Sequence, residues 1–128
     1  RSILKDYPQS RFAEKALFAN AEYYSILSRL EEAQALFEDY VGTFPDSEGK
    51  FFAMVHLWKM AQRQGAQSQL AELTSHIASN KRISFIFRDR KEMVFRSPLA
   101  REYRAVIQID KIKIFLEGEL FAEISYTD

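Results

Sequence analysis

The sequence predicts an α+β fold in which antiparallel helix pairs, about four helices in all, precede a small antiparallel β unit of four or five strands. Two observations predict it. Residues 1–80 are rich in Ala, Leu, Glu and Gln, and contain three of the four glycines. Residues 81–128 are instead rich in β-branched and aromatic residues, broken by short polar turns. We therefore expect a helical domain over residues 1–80 and a β module over residues 81–128.

The first predicted helix covers residues 12–27 and has two apolar rows at three- and four-residue steps. The first row contains Phe12, Ala16, Ala19, Tyr23 and Ile26, and the second contains Leu17, Ala21 and Tyr24. Two rows predict a helix that is buried on more than one side.

Three further helices follow from caps and periodicity. Ser28 and Glu31 have the spacing of a capping box, which predicts a helix over residues 29–41 that ends at Gly42 before Pro45. Its core face contains Leu30, Ala33, Leu36, Phe37 and Tyr40. A third helix is predicted over residues 47–64, ended by Gly65, and a fourth over residues 68–79.

Short alternating segments predict the strands. Residues 82–88 and 92–96 could form a hairpin, and residues 103–109, 112–116 and 119–126 continue the sheet. Glu117 and Gly118 are predicted to form a turn. Residues 97–100 interrupt the pattern, and residues 99–103 could instead form one helical turn.

A short motif recurs in the helical part. Tyr7-Pro8-Gln9-Ser10 returns as Phe44-Pro45-Asp46-Ser47, a shift of 37 residues, as between Pro8 and Pro45. With Glu14 as its first position, the clearer unit places Ala21, Tyr24, Ala33, Phe37 and Pro45 at the characteristic positions of a tetratricopeptide repeat. The chain therefore resembles that family over about residues 2–50, while a second unit counted from Phe51 matches less well.

The resemblance extends to a subgroup found in bacterial envelope proteins, such as the outer-membrane-assembly lipoprotein and the accessory protein of the Tol-Pal system. It implies a protein-binding chain in the bacterial periplasm or cell envelope, with the cytoplasm left open. Because the chain begins at Arg1 and a helix pair cannot bury its faces alone, we also expect either that it is part of a longer array or that the β segment covers an exposed helical face.

The resemblance also implies a concave face for a protein or peptide partner. The corresponding motif positions are Lys15, Phe18, Glu22 and Ser25 in the first unit, and Phe52, Val55, Lys59 and Gln62 in the second. Partner binding is expected at Lys15, Phe18, Glu22, Phe52, Val55 and Lys59. The alternative is that the apolar members pack against the β segment of the same chain, which must bury one face.

The charges are unevenly distributed along a chain with 18 basic and 18 acidic residues. The net charge is −2 over residues 1–80, +5 over residues 81–104 and −3 over residues 105–128. Arg88, Arg90, Lys91 and Arg96 form an alternative basic surface for nucleic acid or an acidic partner. The simpler interpretation is a solvated sheet face whose charges pair across strands, so nucleic acid is not the favoured partner.

The composition argues against most kinds of catalytic, metal-binding and phosphate-binding site. The chain has no cysteine, and His56 and His76 are its two histidines, neither in a zinc-binding pattern. No glycine-rich phosphate loop and no apolar run of about 18 residues occurs in it. We therefore expect a non-enzymatic interaction or scaffolding module, without cofactor, metal or transmembrane segment.

Overall fold

The computed structural model describes residues 11–78, 92–108 and 111–125. Over these residues, four helices are followed by a four-stranded antiparallel sheet, which confirms the predicted fold class. The helices are α1 (Arg11–Ile26), α2 (Leu30–Thr43), α3 (Gly49–Gln64) and α4 (Gln67–Ala78). The strands are β1 (Glu92–Arg96), β2 (Glu102–Ile107), β3 (Lys111–Leu116) and β4 (Glu119–Ser125).

The sheet is a meander with the strand order β1-β2-β3-β4. Glu117 and Gly118 form the predicted turn between β3 and β4, with φ of 52° and 82°. Positive φ at both central residues is the geometry of a type I′ hairpin, which suits the twist of the two strands. Residues 97–101 connect β1 to β2, and because β2 is extended from Glu102, the alternative of a helical turn over residues 99–103 is wrong. The predicted strand over residues 82–88 and its hairpin lie outside the described residues.

The predicted capping box is wrong. Ser28 has a φ of 62° and terminates α1, so the N-cap of α2 falls on Arg29, whose side chain makes no capping hydrogen bond to the first turn of the helix. The guanidinium of Arg29 instead donates to Glu32 at 2.6 Å. The end of α2 was also misplaced, since Gly42 lies within the helix and Phe44 is the C-cap residue.

The two helix pairs share one turn geometry. The N–H of Arg29 donates to the carbonyl of Tyr24 at 2.9 Å, and 37 residues later the N–H of Ala66 donates to the carbonyl of Ala61 at 3.0 Å. The left-handed residue of each turn, Ser28 or Gly65, keeps the same offset, with φ of 62° and 68°. Each turn is thus a Schellman motif, and the 37-residue shift of the sequence recurs in the backbone.

Helices and sheet contribute to one hydrophobic cluster among the described residues. Phe18 of α1 lies at its centre and makes edge-to-face contacts at 5.2–6.1 Å between ring centroids. Its partners are Phe37 and Tyr40 of α2, Phe95 of β1 and Tyr103 of β2. The predicted core face of α2 is confirmed, with Ala33, Phe37 and Tyr40 buried and Leu30 and Leu36 packed at the edge.

The two apolar rows of α1 have different environments. Ala21 is buried, and Leu17 and Tyr24 pack against the core as the second row predicts. The first row was expected to be buried, but Phe12 and Tyr23 are 82% and 52% exposed. That expectation is wrong because periodicity identifies an apolar face without identifying an element that covers it.

Among the helices of the described residues, none has the length and apolarity that crossing a membrane requires.

Candidate functional site

Four of the six residues expected on a concave binding face are buried, and three of them, Phe18, Glu22 and Phe52, contact the sheet. Phe18, Glu22, Phe52 and Val55 are at most 1% exposed. The ring of Phe52 stacks on Phe95 of β1 at 5.5 Å with an interplanar angle of 12°. The described sheet therefore occupies the surface that these residues would offer, which is the alternative of packing within the same chain.

The two lysines of the expected face lie at the margins of this contact. Lys15 is exposed on α1. The ammonium group of Lys59 lies 5.4 Å from the ring centroid of Phe121 in β4, which is a cation–π distance. Partial burial lowers the pKa of Lys59, with a smaller contribution from the neighbouring charge of Arg63. Lys59 thus helps to hold β4 on α3.

Arg96, Arg104 and Lys111 of the described strands are paired with carboxylates. Arg104 of β2 contacts Glu92 at 2.6 Å and Glu102 at 3.2 Å. Arg96, from the alternative basic surface, lies 3.8 Å from Glu102 and donates to the carbonyl of Ala100 at 3.2 Å. Such cross-strand pairing is what the solvated-face interpretation predicts. Arg88, Arg90 and Lys91 lie outside the described residues.

Lys15, expected on the concave binding face, and Arg96, expected on the alternative basic surface, line the same cleft. It has a volume of about 740 Å³ and opens between the start of α1, the α2–α3 connection and the β1–β2 loop. Its walls carry both signs of charge, since Glu14, Asp46 and Glu48 also line it. The volume is in the range of small-molecule sites, but the mixed charges select no particular ligand.

A hydrogen-bonded chain of buried polar groups joins α1, β2 and α3. The hydroxyl of Tyr103 donates to Oε2 of Glu22 at 2.5 Å and lies 2.8 Å from Nε2 of His56. Because the hydroxyl proton is directed at Glu22, its oxygen accepts the Nε2–H of a neutral His56. All three side chains are 0–2% exposed, so a substrate cannot reach them.

Burial is the main influence on the pKa values of Glu22 and His56. Burial raises the pKa of Glu22, although the Tyr103 hydrogen bond and the charge of Arg101 oppose it. Burial, with a smaller contribution from the charge of Arg101, lowers the pKa of His56 to about 3. Oε1 of Glu22 accepts no hydrogen bond from the described residues. This buried group therefore contains a neutral imidazole and a carboxyl with one oxygen that accepts no hydrogen bond from the described residues, and it links α1, β2 and α3.

The sequence reasoning missed two features of this region. His56 stands between Val55 and Leu57, and such a setting is a signal for a buried histidine, but its hydrogen-bond partner Tyr103 lies 47 residues away. The exposed row of α1 was identified as apolar and assigned to the core. No cluster of three or more potential metal ligands occurs among the residues that the structure describes.

No protein-family model, curated protein sequence or solved structure matches this chain.

Proposed function

We propose that this chain is a non-enzymatic protein-binding module that docks a partner on the exposed apolar face of α1. This face, the α1 row, consists of Phe12, Ala16, Ala19, Tyr23, Ile26 and Leu27. The observation that carries the proposal is the exposure of its four large side chains, which is 82% for Phe12, 52% for Tyr23, 53% for Ile26 and 47% for Leu27.

The arrangement of the row favours a protein partner. Five of its members, from Phe12 to Ile26, recur every three or four residues along the 16-residue helix and span about 21 Å, and Leu27 follows directly after the helix. Contiguous exposed apolar surface of this kind is typical of interaction sites, whereas scattered apolar residues are not. In the part of the chain that the structure describes, the other exposed large apolar residues, Val94, Leu99 and Leu120, lie apart from the α1 row in the β region.

The expected bacterial periplasmic or envelope location, which came from the family resemblance, belongs to this proposal as well. An exported scaffold that binds other proteins needs a docking surface and no cofactor. The buried polar groups of the described region support this role, because they join helices to sheet and do not face solvent.

Site-specific photo-crosslinking in the native cell tests the proposal. A photoreactive phenylalanine analogue is placed at Phe12 or Tyr23, and at Leu120 of β4 as a control with 55% exposure. Protein adducts are expected from the two α1 positions and not from Leu120. Adducts that form equally at Leu120, or fail to form at both α1 positions, would contradict it.

A binding measurement with the purified crosslinked partner completes the test. Ile26→Asp places a charge in the α1 row and should raise the dissociation constant at least tenfold. Val94→Asp is a matched control, because Val94 is 52% exposed against 53% for Ile26. Both variants should retain the melting temperature of the parent chain, since neither residue is buried.

A further inference from the structure

We infer that the partner of the α1 row is an amphipathic helix that runs antiparallel to α1 and presents a small residue to Phe12 and a bulky residue to Ala19. The inference rests on the proposed function, because it specifies the partner for the same surface. In the second helix pair of the chain, the positions equivalent to Phe12, Ala16, Ala19 and Tyr23 are buried, whereas those equivalent to Ile26 and Leu27 are exposed.

The two helix pairs can be compared residue by residue. Their interhelical turns repeat with an offset of 37 residues, including the hydrogen bonds and the left-handed residue. Applied to the α1 row, this offset pairs Phe12 with Gly49, Ala16 with Ala53, Ala19 with His56 and Tyr23 with Met60. These four residues of α3 are all buried.

The four equivalent residues of α3, which we call the α3 row, are covered in part by α2. His56 stacks on Phe37 of α2 at 4.3 Å with an interplanar angle of 12°. Gly49 lies against Tyr40, so closely that a Cβ atom at residue 49 would overlap the Tyr40 hydroxyl. Tyr40, near the end of α2, thus meets the start of α3, and Phe37 meets a point two turns further on. The covering helix therefore runs antiparallel to the row that it covers.

Side-chain volume then determines what the partner presents to α1. At the position of Gly49 the α1 row has Phe12, so a residue as large as Tyr40 cannot occupy the opposing place. At the position of His56 the α1 row has Ala19, which leaves space for a side chain at least as large as Phe37. The partner helix should thus have a bulky residue followed three positions later by a small one, on an otherwise apolar face.

The test uses peptides derived from α2 as probes. A fluorescent peptide of residues 28–45 is held helical by a covalent bridge between positions 31 and 35, both of which are exposed and opposite Phe37. Its binding to the full chain is followed by fluorescence anisotropy. The Tyr40→Ala peptide should bind at least tenfold more tightly than the natural peptide, although it has lost apolar area. Phe37→Ala in the same peptide should reverse the gain.

A reciprocal change in the protein provides the control. The Phe12→Ala chain should lose the preference and bind the natural peptide at least as tightly as the Tyr40→Ala peptide. Ala16→Asp in the chain, at the position equivalent to buried Ala53, should abolish binding of both peptides, and Val94→Asp should leave it unchanged.

Three results would overturn the inference: equal binding of the two peptides, tighter binding of the natural peptide, or no binding of either at millimolar concentration. If Phe12 and Tyr23 still crosslink to a protein in those cases, the proposed function stands and only the helical partner is rejected. If they do not crosslink, the proposed function fails first.

Discussion

Glu22, Tyr103 and His56 come from three different elements and meet at a single hydroxyl group. Polar groups buried in this way stabilise a protein when they are paired, and the loss of one partner leaves the others desolvated. Their arrangement specifies where β2 lies on α1 and α3 more exactly than apolar contact alone can do. The Tyr103 hydroxyl is the group on which the pairing of the other two depends.

Replacing Tyr103 with Phe should destabilise the protein by about 2–3 kcal/mol, because Glu22 and His56 each lose a hydrogen bond inside the core. Urea unfolding followed by circular dichroism measures this change. Tyr23→Phe is the control, since the Tyr23 ring is half exposed and its substitution should change stability by less than about 0.5 kcal/mol. Equal effects of the two variants would show that the hydroxyl of Tyr103 contributes nothing particular.

Stability should also depend on the protonation of His56. In the unfolded chain a histidine titrates near pH 6.5, whereas burial lowers the pKa of His56 in the folded chain to about 3. As the pH falls from about 6.5 to 3, the unfolded state therefore gains a proton that the folded state does not bind, and the free energy of unfolding decreases. The decrease from this residue should reach up to about 5 kcal/mol.

The His56→Gln variant isolates this effect, because the glutamine amide can donate to Tyr103 without titrating. Its stability should fall less steeply than that of the parent chain between pH 6.5 and pH 4. Glu22 acts in the opposite sense, since its raised pKa favours the folded state at low pH and this contribution is lost as the pH rises. Parallel stability curves for parent and variant would refute the role of His56.

At the scale of elements, the interhelical turns show how one backbone motif is built from different residues. Both turns require a residue in the left-handed region, which Gly65 adopts without a steric penalty and Ser28 adopts against the repulsion of its Cβ atom. The sequence predicted Ser28 as the N-cap of α2, yet its left-handed backbone terminates α1.

Introducing glycine at residue 28 and removing it from residue 65 should therefore have opposite effects on stability. Ser28→Gly should stabilise the chain by about 1 kcal/mol, and Gly65→Ala should destabilise it by about 1 kcal/mol. Thermal melting of the two single variants measures both changes. A destabilising Ser28→Gly substitution would mean that the Ser28 side chain, rather than its backbone, is what the turn needs.

At the scale of the whole molecule, helices and sheet complete one core. Phe18 and Phe52 of the helices contact Phe95 and Tyr103 of the sheet, and these rings are largely withdrawn from solvent. A helical unit without the sheet would expose this aromatic surface, which costs free energy in proportion to its apolar area. The predicted boundary near residue 80 therefore separates two secondary-structure classes that depend on each other for burial.

A chain that ends after residue 80 should consequently lose its cooperative thermal transition and bind a hydrophobic dye. Calorimetry and dye fluorescence measure the two properties. A chain that ends after Ser125 is the control, because it retains every strand among the described residues and should melt as the parent does. A cooperative transition of residues 1–80 at the parent temperature would show that the helices are an independent domain.

The sequence alone was sufficient for the fold class and for most element boundaries. The periodic apolar residues predicted the helices to within two residues at each end, because helix formation depends on neighbours three and four positions apart. Alternation predicted β1, β2, β3 and β4, and the positive-φ turn at Gly118 followed from local conformational preference. All of these signals lie within short stretches of chain.

The tertiary structure decided which apolar surfaces are covered. Periodicity assigned Phe12 to the core and left Phe18 either for a partner or for the sheet, but Phe12 is exposed and Phe18 is buried beneath the sheet. Periodicity likewise could not show that His56 would hydrogen-bond to Tyr103, which is 47 residues away. Burial is a relation between distant parts of a chain, so local sequence determines that a face is apolar, and only packing determines what that face contacts.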